Sequence, residues 1–139
     1  MENMIGKTTV NYLNKGYNCA ESVLKSFRNT YTSLRHIEPQ LFSGFGGSFA
    51  KRGEVCGGIV TATAVIGYFR VNEGDPRQRG DLYDVLNEFY DKIENKYGSL
   101  RCHEIKSKCK GDCPKDEICK PLLMDIALMA DEIISRDQQ

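Results

Sequence analysis

The chain has 139 residues, with 19 lysines and arginines against 19 aspartates and glutamates. That balance excludes the basic footprint of a nucleic-acid or anionic-membrane binder, while the length suffices for one domain with a buried core. No apolar run reaches the ~20 residues of a membrane span, and the opening MENMIGKTTV lacks the apolar run of a signal peptide, so the expectation is a soluble, cytoplasmic single domain over 1–139.

Residues 3–13 read as a short first helix with Met4, Thr8 and Tyr12 on one side, stopped by Gly16. Asn18 followed three residues later by Glu21 has capping-box spacing, which puts Cys19 at the first helical position. Ala20, Val23, Leu24, Phe27 and Tyr31 continue at helical spacing. Glu38-Pro39-Gln40 fits the start of another short helix, with Pro39 at its first position, ending at the glycine-rich turn of Gly44, Gly46 and Gly47. A basic link, Lys51-Arg52-Gly53, then leads to Cys56.

Residues 56–68 carry no charge, and most of their side chains are small: Gly57, Gly58, Thr61, Ala62, Thr63, Ala64 and Gly67. A helix this apolar on all sides belongs in the middle of a bundle. Each glycine costs up to ~1 kcal/mol relative to alanine, so packing or a site must offset them. After a turn at 72–76, residues 77–97 place Leu82, Val85, Leu86, Phe89, Tyr90, Ile93 and Tyr97 on one helical face, with Gly98 as the stop. Ser99 can cap a next short helix with Cys102 in its first turn. Residues 106–117 are polar, lysine-rich and interrupted by Gly111 and Pro114, as expected of a loop carrying Cys109 and Cys113. Pro121 fits the first position of a last helix whose buried stripe is Leu122, Leu123, Ile126, Ala127, Ala130, Ile133 and Ile134, with Cys119 just before its start. With no strand-like alternation and no repeat, the expected fold is an all-α, single-domain helical bundle around a central small-residue helix.

Without a secretion signal, six cysteines point to redox or metal chemistry rather than to a static disulfide framework. Cys19, Cys56 and Cys102 fall in the first turn of a helix, and Cys119 at the entrance of one. Helix starts present N–H groups and the positive end of the dipole, which lower a thiol's pKa. If the four starts converge, a pair of thiols exchanges electrons through a disulfide, or three or four thiolates hold zinc or an iron–sulfur cluster. The spacings match no local zinc or ferredoxin signature. The bland alternative is a non-catalytic helical interaction module whose cysteines are packed small hydrophobes.

Cys109 and Cys113, at Cys-x-x-x-Cys spacing among lysines, are a reversible disulfide, additional ligands or loop thiols without a role. His103, next to Cys102, is a metal ligand, a proton donor or simply solvated, and Glu54 is a base or a solvated carboxylate at a helix start. Phe69 and Tyr83 are candidate exposed aromatics, which suggests a homodimer.

Gly-Tyr-Asn-Cys-Ala-Glu at 16–21, Gly-Glu-Val-Cys-Gly-Gly at 53–58, Tyr-Gly-Ser-Leu-Arg-Cys at 97–102 and then Cys119 resemble the bacterial and archaeal C_GCAxxG_C_C family of putative redox-active proteins, over nearly the whole chain. The resemblance implies that Cys19, Cys56, Cys102 and Cys119 are the family's four characteristic cysteines. Gly58 stands where the family motif has alanine, and Thr61 where it has its second glycine. The resemblance implies a redox role and the grouping of these residues, not a particular reaction. The cysteines themselves lead to the reading of a small thiol redox protein, a thiol oxidoreductase or electron-transfer protein acting with a redox partner or small molecule. Metal or iron–sulfur binding by the same cysteines is the alternative.

Overall fold

A computed structural model describes residues 4–71, 77, 79–107 and 115–136. Among these residues lie six α-helices: α1 (Ile5–Asn14), α2 (Cys19–Thr30), α3 (Gly57–Arg70), α4 (Leu82–Tyr97), α5 (Cys102–Ser107) and α6 (Lys115–Arg136). Two 3₁₀ segments, Thr32–Leu34 and Pro39–Phe45, connect α2 to α3. The fold is all-α, as the residue periodicity indicates; among the described residues the only β pairing is an isolated antiparallel bridge between Val55 and Arg101. No helix among them is long and apolar enough to cross a membrane.

The helices pack as their apolar stripes dictate. α2 lies against α1 and α3, while α6 touches α1, α2, α3, α4 and α5. Val23, Leu24 and Phe27 of α2 meet Ile59, Ala62 and Ile66 of α3 and Leu123, Ile126 and Ala130 of α6 in one continuous core. α4 adds Phe89 and Ile93, both wholly buried, and ends where Gly98 turns left-handed at φ 83°. α1 turns a neighbouring stripe inward from the one marked by Met4, Thr8 and Tyr12: Ile5, Gly6 and Thr9 are buried, and Met4 is exposed. The Thr9 hydroxyl donates to Ser26 Oγ at 2.7 Å, so the polar atoms of the α1–α2 seam are satisfied.

α3 is buried on the face made by Ile59, Ala62, Val65 and Ile66 and open on another, where Ala64 is exposed and Val60 half-buried. Its small residues thus serve close packing on one side only. Thr61, in the place of a glycine, keeps the helix contact close by donating its hydroxyl to the Ala20 carbonyl at 3.1 Å. Phe69 is also less exposed than its sequence position suggests. It packs against Tyr31 with ring centroids 5.1 Å apart, whereas Tyr83 is in solvent.

α6 differs most from the sequence expectation. It begins at Lys115 and runs through Pro121, so Cys119 lies inside the helix rather than at its entrance. A proline within a helix forfeits one hydrogen bond and crowds the carbonyl four residues back, at a cost of ~3 kcal/mol. Burial of Cys119 and partial burial of Ile118 against the core oppose that cost. Cys109 and Cys113 lie outside the described residues.

Candidate functional site

Four elements bring one cysteine each to one end of the bundle. The capping box at the start of α2 is complete: Asn18 accepts from the Glu21 N–H at 2.8 Å, and the Asn18 N–H donates to the Glu21 carboxylate at 2.9 Å. It fixes Cys19 as the first residue of α2. Cys56 is the N-cap of α3 rather than a first-turn residue, and its backbone N–H donates to the Leu100 carbonyl at 2.9 Å. The reciprocal bond runs from the Cys102 N–H to the Glu54 carbonyl at 2.8 Å. These two bonds flank the Val55–Arg101 bridge and lock the start of α5 beside the start of α3. Cys119 arrives from the second turn of α6.

Cys19, Cys56, Cys102 and Cys119 line one apolar cavity of about 30 Å³, walled by Phe45, Ile105 and Leu122. That is room for a water molecule and little more. None of the four is joined in a disulfide; Cys56 and Cys119 are buried, and Cys19 and Cys102 are half-buried. The cavity stays tight partly because of Gly57: a Cβ there would lie 2.8 Å from the Phe45 carbonyl oxygen and 3.3 Å from the Ala20 Cβ.

Electrostatics in the cavity contradict the simple expectation that a helix start lowers a thiol's pKa. A hydrogen bond with Cys119 is the largest influence on Cys19; together with burial and the nearby Cys56 and Cys119 it drives Cys19 far above the ordinary thiol range. Burial pushes Cys56 up to about 11. The N–H groups of Ile59 and Gly58 pull it the other way, although neither completes a cap hydrogen bond to the sulfur. Desolvation thus outweighs the helix start at Cys56, and the Cys119 hydrogen bond together with desolvation does so at Cys19. Burial also works against the charge on Lys106, but Cys102, Cys119 and Cys19, with a hydrogen bond to the Cys102 sulfur, raise the lysine's pKa overall.

Lys106 is the member of the site that the sequence reading misses. Read along the chain, it opens a polar loop; in the structure it sits in the last turn of α5, four residues from Cys102 and on the same helical face. The spacing of cysteine and lysine on one short helix was the available signal. His103 is not part of the four-thiol cavity: its Nδ1 is 2.7 Å from the Gly53 carbonyl oxygen, an ordinary donor contact that fixes the ring. Glu54 is exposed and contributes its backbone carbonyl, not its carboxylate, to the bridge beside Cys102.

The segment between the 3₁₀ helix and α3 closes the cavity. Phe49, Ala50 and Lys51 are successive left-handed residues, with φ of 59°, 56° and 72°. Each costs on the order of 1 kcal/mol in a non-glycine residue. The turn is held by the Lys51 N–H donating to the Gly46 carbonyl at 3.4 Å and the Glu54 N–H donating to the Ser48 carbonyl at 3.3 Å. The Ser48 hydroxyl also donates to the Val55 carbonyl. Gly47 and Ser48 thereby line the thiol cavity.

Among the described residues, no group of three or more His, Cys, Asp or Glu side chains is arranged to hold a metal ion. Residues 17–133 match the family model C_GCAxxG_C_C, described as putative redox-active protein. The match spans all four cysteines of the cavity. No curated protein and no solved structure matched the chain.

Proposed function

The chain belongs to the C_GCAxxG_C_C family of putative redox-active proteins, and on that premise we propose that it is a small thiol redox protein whose working groups are Cys19, Cys56, Cys102 and Cys119. The observation that carries this reading is the convergence of four thiols, from four separate elements, on one cavity with a lysine at Cys102. Two thiols that close to a disulfide release two electrons and two protons to an acceptor, and the reverse reaction takes them up. A cavity with space for little besides water keeps the pair together and shields a disulfide from stray reductant. Packing alone explains a buried cysteine one at a time; it gives no reason for Lys106 to lie against Cys102.

The test is anaerobic purification followed by metal analysis and thiol counting before and after mild oxidation with diamide. The expected result is colourless, metal-free protein that loses two thiols, with the new disulfide mapping between two of the four cavity cysteines. Stoichiometric zinc, or visible absorption from an iron–sulfur cluster, would replace redox exchange by metal binding. Four thiols left unchanged by diamide would leave packing as their whole role. Self-association is part of the proposal at the exposed Tyr83. Light scattering at micromolar concentration should give twice the 15.7 kDa chain mass, and a monomer would remove it.

A further inference from the structure

A second cleft adjoins the thiol cavity on its solvent side. It has a volume of about 190 Å³ and is lined by Gly47, Lys51, Gly53, Cys102, His103 and Lys106. Gly47, Cys102 and Lys106 line both spaces, so they form the partition between them. The two spaces differ in kind. The inner one is apolar and, at about 30 Å³, admits no substrate larger than a few atoms. The outer one is large enough for a small organic group and carries two lysines and an imidazole, with no carboxylate among its described lining residues.

Its polar groups are held in place. His103 is tied through Nδ1 to the Gly53 carbonyl, and its backbone N–H donates to that same carbonyl at 3.2 Å. A side chain at Gly53 would strike His103, since a Cβ there falls 2.6 Å from the His103 Cβ, and its φ of +70° is one that glycine adopts without strain. Lys51 projects from the left-handed turn pinned to Gly46.

We propose that this outer cleft receives the anionic co-substrate of the thiol site, a small disulfide bearing carboxylates, and that Cys102 is the thiol that attacks it. The inference rests on the thiol redox reading and deepens it. The Cys102 thiolate attacks one sulfur of the disulfide R–S–S–R; a Cys102–S–S–R bond forms, the original S–S bond breaks, and R–S⁻ leaves. A buried thiol of the inner cavity then attacks the Cys102 sulfur and gives its proton to the second departing R–S⁻. The protein ends as an internal disulfide, and the substrate as two thiols, reduced by two electrons. Lys51, Lys106 and His103 supply donors and positive charge for the carboxylates, and Lys106 also steadies the attacking sulfur.

The experiment is a single-turnover reaction of the reduced full-length protein with three disulfides of similar size: dithiodiglycolate (anionic), bis(hydroxyethyl) disulfide (neutral) and cystamine (cationic). Each rate is divided by that of a simple free thiol in the same buffer, and the first adduct is located by acid quench and peptide mapping. The expected result is a first adduct on Cys102 and a normalised rate about tenfold higher for the anionic than for the cationic probe at low salt. The preference should shrink as salt screens the cleft, and it should fall roughly threefold to tenfold in Lys51→Glu, as for an exposed ion pair. The anionic-to-cationic ratio is taken within each variant, so a change in Cys102 reactivity common to all probes cancels, and far-UV circular dichroism with a melting curve reports that Lys51→Glu is folded. Equal normalised rates for all three probes, or a first adduct on Cys19, Cys56 or Cys119, would overturn the cleft proposal and leave the redox reading standing. Finding neither an adduct nor an internal disulfide on any of the four cysteines with any probe would overturn both.

Discussion

The inner cavity and the outer cleft share a wall, yet they set opposite conditions for sulfur chemistry. Cys56 and Cys102 sit at neighbouring helix starts, joined by two backbone hydrogen bonds across the Val55–Arg101 bridge. By local geometry they are near twins. Cys56 is 4% exposed, and burial carries its pKa to about 11. Cys102 is half-buried, opens onto the cleft and shares its lining with Lys106, whose charge it favours. A helix start is therefore an insufficient predictor of a reactive thiol: two or three N–H groups are outweighed once the sulfur loses water on every side. One thiol thus lies at the partition, while Cys19 and Cys56 in the inner cavity hold their protons more tightly than an ordinary thiol.

The sharpest way to break this contrast is differential alkylation. At pH 8 a thiol titrating near 11 is only about one-thousandth thiolate. Cys102 should be carbamidomethylated at least ~100-fold faster than Cys56 in the folded protein, as read by timed quenching and peptide mapping. Comparable rates would erase the distinction between the two spaces.

The second test is the pH dependence of stability. The Cys56 pKa is raised in the folded state, so the folded protein holds that proton where the unfolded chain releases it. The associated stability is present below the ordinary thiol value of 9.0 and is lost as pH rises toward about 11. Denaturant unfolding should show a decline of roughly 2–3 kcal/mol over that interval from this group. Cys19, raised by its hydrogen bond to Cys119 and by burial, adds to the loss in the same direction. In Cys56→Ala the decline should be shallower, and an unchanged slope would show that Cys56 is not the buried proton.

A third test concerns the wall of the inner cavity. Gly57→Ala should destabilise by about 1–3 kcal/mol through overpacking against the Phe45 carbonyl, despite alanine's better helix propensity. Gly44→Ala, where a Cβ would meet nothing within 4 Å, should leave the melting temperature almost unchanged. Equal effects of the two changes would mean that the cavity is not tightly closed.

The smallest expected effect is at the partition itself. Lys106→Met keeps the length and apolar stem of the side chain but removes the ammonium beside Cys102. Alkylation of Cys102 at pH 7 should slow by about threefold to tenfold, with Cys56 unaffected. A rate that does not move would remove Lys106 from the site.

Much of this molecule is determined by its sequence alone. The stripes of α2, α4 and α6 and the Asn18–Glu21 box each encode an element locally, because a helix of this kind needs only spacing and a cap to be recognised. The family motifs likewise mark the four cysteines. Other features were decided by tertiary structure. Pro121 reads as a helix start, but packing of the preceding turn carries α6 back to Lys115 and moves Cys119 inside the helix. The uncharged run of α3 does not reveal that Ala62 is buried and Ala64 exposed, since small apolar residues carry no polarity signal to separate two faces. Nor does a helix start reveal whether its thiol is dry or wet. That depends on which distant residues close over it: Phe45 and Leu122 stand against the inner sulfurs, while Lys51 and His103 stand beside Cys102. Desolvation and charge are sums over neighbours in space, so the reactivity of these four cysteines is a property of the assembled bundle and not of the local sequence around any one of them.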